Sequence, residues 1–99
     1  MTATTETKSD RLRRRRVTFR FEAAPHSHVR VAGSFNNWDA SARPLRRENG
    51  NGTHAATVLL PVGRHEYKFI VDGEWHSDPA CPDWVWNEHG TRNSIIEVR

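Results

Sequence analysis

The stretch Arg64-His65-Glu66-Tyr67-Lys68-Phe69-Ile70-Val71-Asp72-Gly73-Glu74-Trp75-His76 decides how this chain folds. Tyr67, Phe69 and Val71 recur at every second position, so an extended backbone puts them on one face and Lys68 and Ile70 on the other. A helix would scatter the same residues around its axis. Asp72-Gly73 then marks a two-residue hairpin, because both types tolerate the positive φ angles of a tight antiparallel turn. The chain should double back there and return through Glu74-Trp75-His76.

The pattern continues on both sides. Upstream, Val17-Thr18-Phe19-Arg20-Phe21-Glu22 alternates apolar and polar side chains, the mark of a half-buried antiparallel strand. Val29-Arg30-Val31 repeats it and runs into Gly33-Ser34-Phe35. Thr53 to Leu60 reads as a further strand, entered through the turn cluster Asn49-Gly50-Asn51-Gly52, and Pro61-Val62-Gly63 turns it into the central stretch. Downstream, Pro79 and Pro82 make Asp78 to Asp83 an irregular loop, since proline lacks the N–H that a helix or an inner strand uses. Asn93 to Val98 closes the chain as a last strand. About six or seven short strands without a 3.6-residue apolar period predict an all-β fold, an antiparallel β-sandwich of immunoglobulin type.

Composition sets the limits. The 99 residues make one small domain, which buries roughly 60–65% of its unfolded surface and leaves little room for an enclosed catalytic cavity. A single cysteine, Cys81, forms no internal disulfide and is compatible with a reducing compartment, here expected to be the cytoplasm. No apolar run reaches the roughly 18 residues of a membrane span, and the N-terminus has no apolar signal core. Asn51-Gly52-Thr53 spells a glycosylation acceptor, but without an export signal it reads as turn residues. The net charge of +3 belongs to one end: residues 1–16 carry six Lys/Arg and two Asp/Glu, a net +4, whereas residues 17–99 carry nine and ten, a net −1. Residues 1–16, with only Leu12 to bury, are expected to be a disordered basic tail ahead of a domain spanning residues 17–99.

Four tryptophans are the informative excess. Trp38 follows Asn36-Asn37 in a turn-like stretch and Trp75 follows the Asp72-Gly73 turn, where side chains are as often presented to solvent as buried. Trp84 and Trp86, two residues apart in a proline-bounded segment, share a face if that segment is extended. An exposed indole suits sugars, because the C–H face of a pyranose lies flat on a π system that is negative above its plane. Lys68, Thr91 and Asn93 are of the type that hydrogen-bonds hydroxyls at the ring edges, although each alone is equally a solvated strand or turn residue.

Three stretches carry a resemblance. Val29-Arg-Val-Ala-Gly-Ser-Phe-Asn-Asn-Trp38, then Leu60 through Trp75 with Asp78-Pro79, then Gly90-Thr-Arg-Asn-Ser-Ile-Ile-Glu-Val98, resemble family 48 carbohydrate-binding modules. That family includes the glycogen-binding domain of AMP-activated protein kinase β subunits and the N-terminal, early-set domains of isoamylases and branching enzymes. The likeness runs from about Val17 to Arg99. It implies an early-set, immunoglobulin-like sandwich that binds α-1,4-linked glucan without catalysis. It further implies that Trp38 and Trp75 stack on sugar rings and that Lys68, Thr91 and Asn93 bond to hydroxyls. The kinase-type domains carry an apolar residue before Gly-Thr where this chain has His89, and Trp84 and Trp86 are additions to the pattern. All three are candidates for the rim of the site.

Other readings are weaker. A glycosidase needs two carboxylates roughly 5–10 Å apart across a sugar cleft; Asp72 and Asp78 have turn-forming explanations, and Glu74 and Asp83 add no such cleft. His26, His28, His54, His65, His76 and His89 lack metal-ligand spacing, so neither metal nor cofactor is expected. The arginine run 13–16 suits phosphates, but the acidic body argues against nucleic acid as a partner. The remaining alternative keeps the fold and loses the sugar site: an assembly module that docks on a separate enzyme or kinase-type protein.

Overall fold

The computed structural model describes residues 13–48 and 50–99, so most of the expected tail and Asn49 of the turn cluster lie outside the described residues. It is an antiparallel β-sandwich. A three-stranded sheet in the order β1-β4-β3 is made by β1 (Arg14–Glu22), β4 (Thr53–Pro61) and the two-residue β3 (Arg46–Arg47). The second sheet runs β2-β5-β8-β7, from β2 (Val29–Gly33), β5 (Gly63–Val71), β8 (Arg92–Val98) and β7 (Trp84–Trp86), with β6 (Glu74–His76) pairing β5 beyond its contact with β8. Among the described residues, one turn of 3-10 helix, Ser34–Asn36, interrupts the strands. No helix among the described residues is long and apolar enough to cross a membrane.

The two inner faces meet in one core built from Phe19, Val29, Val31, Leu45, Val58, Leu60, Tyr67, Phe69 and Val98. Phe69 is fully buried at its centre, with Phe21 at 4.9 Å and Tyr67 at 5.7 Å between ring centroids, both in the tilted or edge-on geometry that aromatic rings prefer. The alternation of β5 is therefore as expected, with Tyr67 and Phe69 inside. Lys68 and Ile70 lie on the outer face, yet both are buried, which a strand pattern alone did not indicate.

One boundary needs correction. The arginine run was assigned to the tail, but Arg14, Arg15 and Arg16 pair with Pro61, Leu60 and Leu59. The ladder uses only backbone groups, so charged side chains are no obstacle when they can point outward: Arg14 and Arg16 are exposed, and the half-buried Arg15 donates from Nε to the carbonyl oxygen of Arg99 at 3.1 Å. The proline-bounded segment Trp84–Trp86 is extended, as an edge strand.

Candidate functional site

The outer face of the five-stranded sheet carries the site. Tyr67 pairs with Ser94, so one step along the ladder sets Lys68 beside Asn93. Ile70 pairs with Trp75, so that indole stands on the same face as Lys68, two positions along β5. Strands supply Lys68, Trp75 and Asn93, and the turn at Trp38 and the loop between β7 and β8 complete an open cleft of about 710 Å³ lined by Trp38, Lys68, Trp75, Asn87, Glu88, His89, Thr91 and Asn93.

The floor is a connected polar row. Lys68 Nζ donates to Thr91 Oγ1 at 2.9 Å. Asn87 Nδ2 donates to the same oxygen at 2.8 Å and to Asn93 Oδ1 at 2.9 Å. Asn93 Nδ2 donates in turn to Glu66 Oε1 at 3.1 Å. Burial, and then the neighbouring Arg92 charge, hold the Lys68 ammonium below its usual titration range. A lysine with one N–H bonded keeps two donors for a ligand, and Asn93 keeps one N–H and one lone pair.

The walls are two indoles held by dissimilar turns. Trp75 follows Asp72 and Gly73, whose φ angles of 50° and 88° make the turn that matches the right-handed twist of a hairpin. Asp72 accepts from the His28 N–H at 2.8 Å and its own N–H donates to the His28 carbonyl at 2.8 Å, which ties the turn to the strand next door. Trp75 is left 45% exposed. Trp38 closes the 3-10 turn in an uncommon backbone state: Asn37 and Trp38 both lie in the left-handed region, at φ 56° and 57°. Asn tolerates this; a bulky residue is strained there. The surroundings compel it, because the Trp38 N–H donates to the Gly33 carbonyl at 2.9 Å and the Asn36 side chain bridges the Gly33 N–H and the Val31 carbonyl. Gly33 must itself be glycine, since a Cβ would collide with the Glu66 carbonyl oxygen and the Phe35 ring. Gly33, Asn36 and Asn37 thus hold the backbone that presents one half-buried indole, Trp38, to the cleft.

The rim differs from expectation. His89 does line the cleft, but Trp84 and Trp86 do not. The register explains why: Trp84 pairs with Ser94 and Trp86 with Arg92, which puts both indoles on the opposite face of the sheet from Asn93. There they pack edge to face, 5.1 Å between centroids, with the Arg92 guanidinium 5.0 Å over the Trp84 ring. Asn87 and Glu88 line the cleft and were missed. The signal for Asn87 was present in Asn87-Glu88-His89-Gly90, an Asn two residues before His89 and three before a glycine, which is the composition of a side-chain-capped turn. Among the described residues no group of three His, Cys, Asp or Glu side chains could hold a metal ion.

An open cleft with indole walls and a polar floor, on the outer face of an immunoglobulin-like sandwich, is the layout of a carbohydrate-binding module. Comparison with known proteins gives the family. Residues 15–99 match the family model described as the glycogen recognition site of AMP-activated protein kinase, and the chain belongs to that family. Over 71 residues, or 72% of its length, it is 48% identical to the human 5'-AMP-activated protein kinase subunit beta-1 and 41% identical to the mouse subunit beta-2, covering 24% and 25% of those proteins. Over 71 residues it is also 48% identical to the pig subunit beta-1 sequence, covering 54% of it. The chain thus spans between about a quarter and a half of these relatives. Among solved structures, the enterobactin esterase FES from Shigella flexneri shares the fold over 89% of this chain and 31% of its own, with a TM-score of 0.71 at 18% identity.

Proposed function

We propose that this domain binds α-1,4-linked glucan, such as glycogen or a maltooligosaccharide, by stacking successive glucose rings on Trp38 and Trp75 while Lys68, Thr91 and Asn93 bond to their hydroxyls. The observation that carries the reading is convergence: residues from three separate stretches of chain line one cleft. The domain performs no chemistry on the sugar. It works in the cytoplasm, bringing a separate enzyme or kinase-type partner to the polymer. Exposed platforms of this kind gain about 1–3 kcal/mol per stacked ring, by analogy with bases on aromatic side chains, so single-chain affinity falls in the micromolar to millimolar range.

The test is titration with β-cyclodextrin and maltoheptaose while following tryptophan emission, paired with electrophoresis through gels containing glycogen. Saturable quenching and retardation, both lost in Trp38→Ala and Trp75→Ala, are expected. A wild-type domain that runs unretarded and shows no quenching rejects the sugar site. One observation favours the second reading, a protein-docking module: the exposed Trp84 and Trp86 pair beside Arg92, the residue types that dominate protein interfaces.

A further inference from the structure

Asn87 lies at the centre of the polar floor, and its side chain is fully used. Oδ1 accepts from the backbone N–H groups of His89 at 2.9 Å and Thr91 at 3.1 Å. Two converging backbone donors fix which end of the amide is oxygen, so Nδ2 must face Thr91 Oγ1 and Asn93 Oδ1. The consequence passes along the row. The Thr91 oxygen accepts from both Asn87 and Lys68, which fills both lone pairs and leaves its own O–H as a donor with no partner on the floor. The Asn93 oxygen is likewise held by Asn87, which turns its Nδ2 toward Glu66. We infer that Asn87 is a positioning residue for the glucan site: the backbone of loop 87–91 sets its amide, and that amide sets the polarity of the floor, so that Thr91 donates to a sugar oxygen and does not accept from a hydroxyl.

This rests on the sugar-binding reading and extends it to a residue that need not itself bond the ligand. Asn87→Asp isolates the effect. One carboxylate oxygen still accepts from the His89 and Thr91 N–H groups, so the loop persists. The other is an acceptor where a donor stood. The Thr91 O–H then turns inward to satisfy it, and the Asn93 oxygen faces a like dipole that it cannot escape without turning its carbonyl onto Glu66.

Maltoheptaose titration of wild type, Asn87→Asp, Thr91→Val and the double variant tests it, with thermal unfolding of each. Asn87→Asp should stay folded, with a melting temperature lowered by the acceptor set against Asn93, and lose about tenfold in affinity, the scale of one charge-free hydrogen bond at a ligand. On the Thr91→Val background the same change should cost clearly less, because the hydroxyl it acts through is gone. Thr91→Ser, which keeps the hydroxyl, should restore the full loss. A merely structural role gives losses that add across positions 87 and 91; that result, or unchanged affinity in Asn87→Asp, overturns the inference while the sugar site stands. A wild type that fails to bind overturns both. If Asn87→Asp does not fold, Asn87→Ser, which caps the loop but cannot reach both Thr91 and Asn93, is read in the same way.

Discussion

Two pairs of tryptophans stand on opposite faces of one sheet. Trp38 and Trp75 wall a cleft whose floor is Lys68, Thr91 and Asn93. Trp84 and Trp86 are comparably open to solvent, 42% and 63% exposed against 45% for Trp75, yet they lie on an edge strand, turn edge to face against each other, and have Arg92 over one ring. Exposure does not separate the pairs. What separates them is the company each indole keeps: a cleft shared with Lys68, Thr91 and Asn93 in one case, and a partner ring with a cation over the face in the other. The sugar platform proposed above is thus a property of a neighbourhood, and the pairs can be told apart by removing them one at a time.

The largest effect expected is on ligand binding. Trp75→Ala and Trp38→Ala should each cost about 1–3 kcal/mol, roughly five- to 150-fold in the dissociation constant for maltoheptaose. Trp84→Ala and Trp86→Ala should leave it within about twofold; a loss there comparable to Trp75→Ala would erase the distinction. Next is the anchor of the second pair. Tyr67 donates to Asp78 Oδ2 at 2.6 Å, and burial, then this bond, push its hydroxyl far above its ordinary titration range. Asp78 also ties the loop that leads into β7 to Ser94. Tyr67→Phe should lower stability by about 1.5–3 kcal/mol, as for a hydrogen bond to a charged group, with sugar affinity nearly unchanged. Chemical denaturation and titration read the two quantities separately.

Strain gives a smaller and more pointed contrast. Because Trp38 is held at φ 57°, Trp38→Gly should be about 1 kcal/mol more stable than Trp38→Ala, although both lose sugar binding. No such difference should separate Gly from Ala at Trp75, which sits in a regular strand; there glycine should be the worse. The pH dependence comes last. The native Lys68 gives up its proton below its ordinary value of 10.5, so the folded state binds fewer protons than the unfolded one across the interval between the two. Its contribution to stability therefore rises as pH increases through that interval. Affinity for sugar moves the other way, because the deprotonated amine is a weaker donor. Titration at increasingly alkaline pH should show affinity declining before an ordinary lysine would lose its charge, and Lys68→Gln should remove that limb.

Much of this was legible from residues alone. The alternation of Tyr67, Phe69 and Val71 and the Asp72-Gly73 turn specified the hairpin that holds Lys68 and Trp75, because period two and positive φ are local properties. The resemblance supplied Thr91 and Asn93, and the structure puts all five expected contact residues in one cleft. Three features escaped. The pairing of Arg14–Arg16 depends on how far β4 extends, with β2 and β3 intervening in the chain, and side-chain charge does not report that. The exclusion of Trp84 and Trp86 depends on their register with β8, where a shift of one residue would have reversed it. Asn87 was hidden because its importance lies in four simultaneous bonds, three of them to residues four or six positions away or to their backbone.

The central strand β5 has a bearing on how such a module can change over generations. Phe69 forms the heart of the core and Lys68 the floor of the cleft, and they are consecutive residues. An insertion or deletion of one residue in this strand would exchange interior and recognition surface in a single event, so neither can drift without the other. Loop 87–91, by contrast, hangs from two strand ends and can lengthen or swap its side chains while the sandwich stays intact. New ligand preferences in domains of this build should therefore arise by replacement at the loop positions outside the floor, Glu88 and His89, while Lys68 and Asn93 on the strands stay fixed.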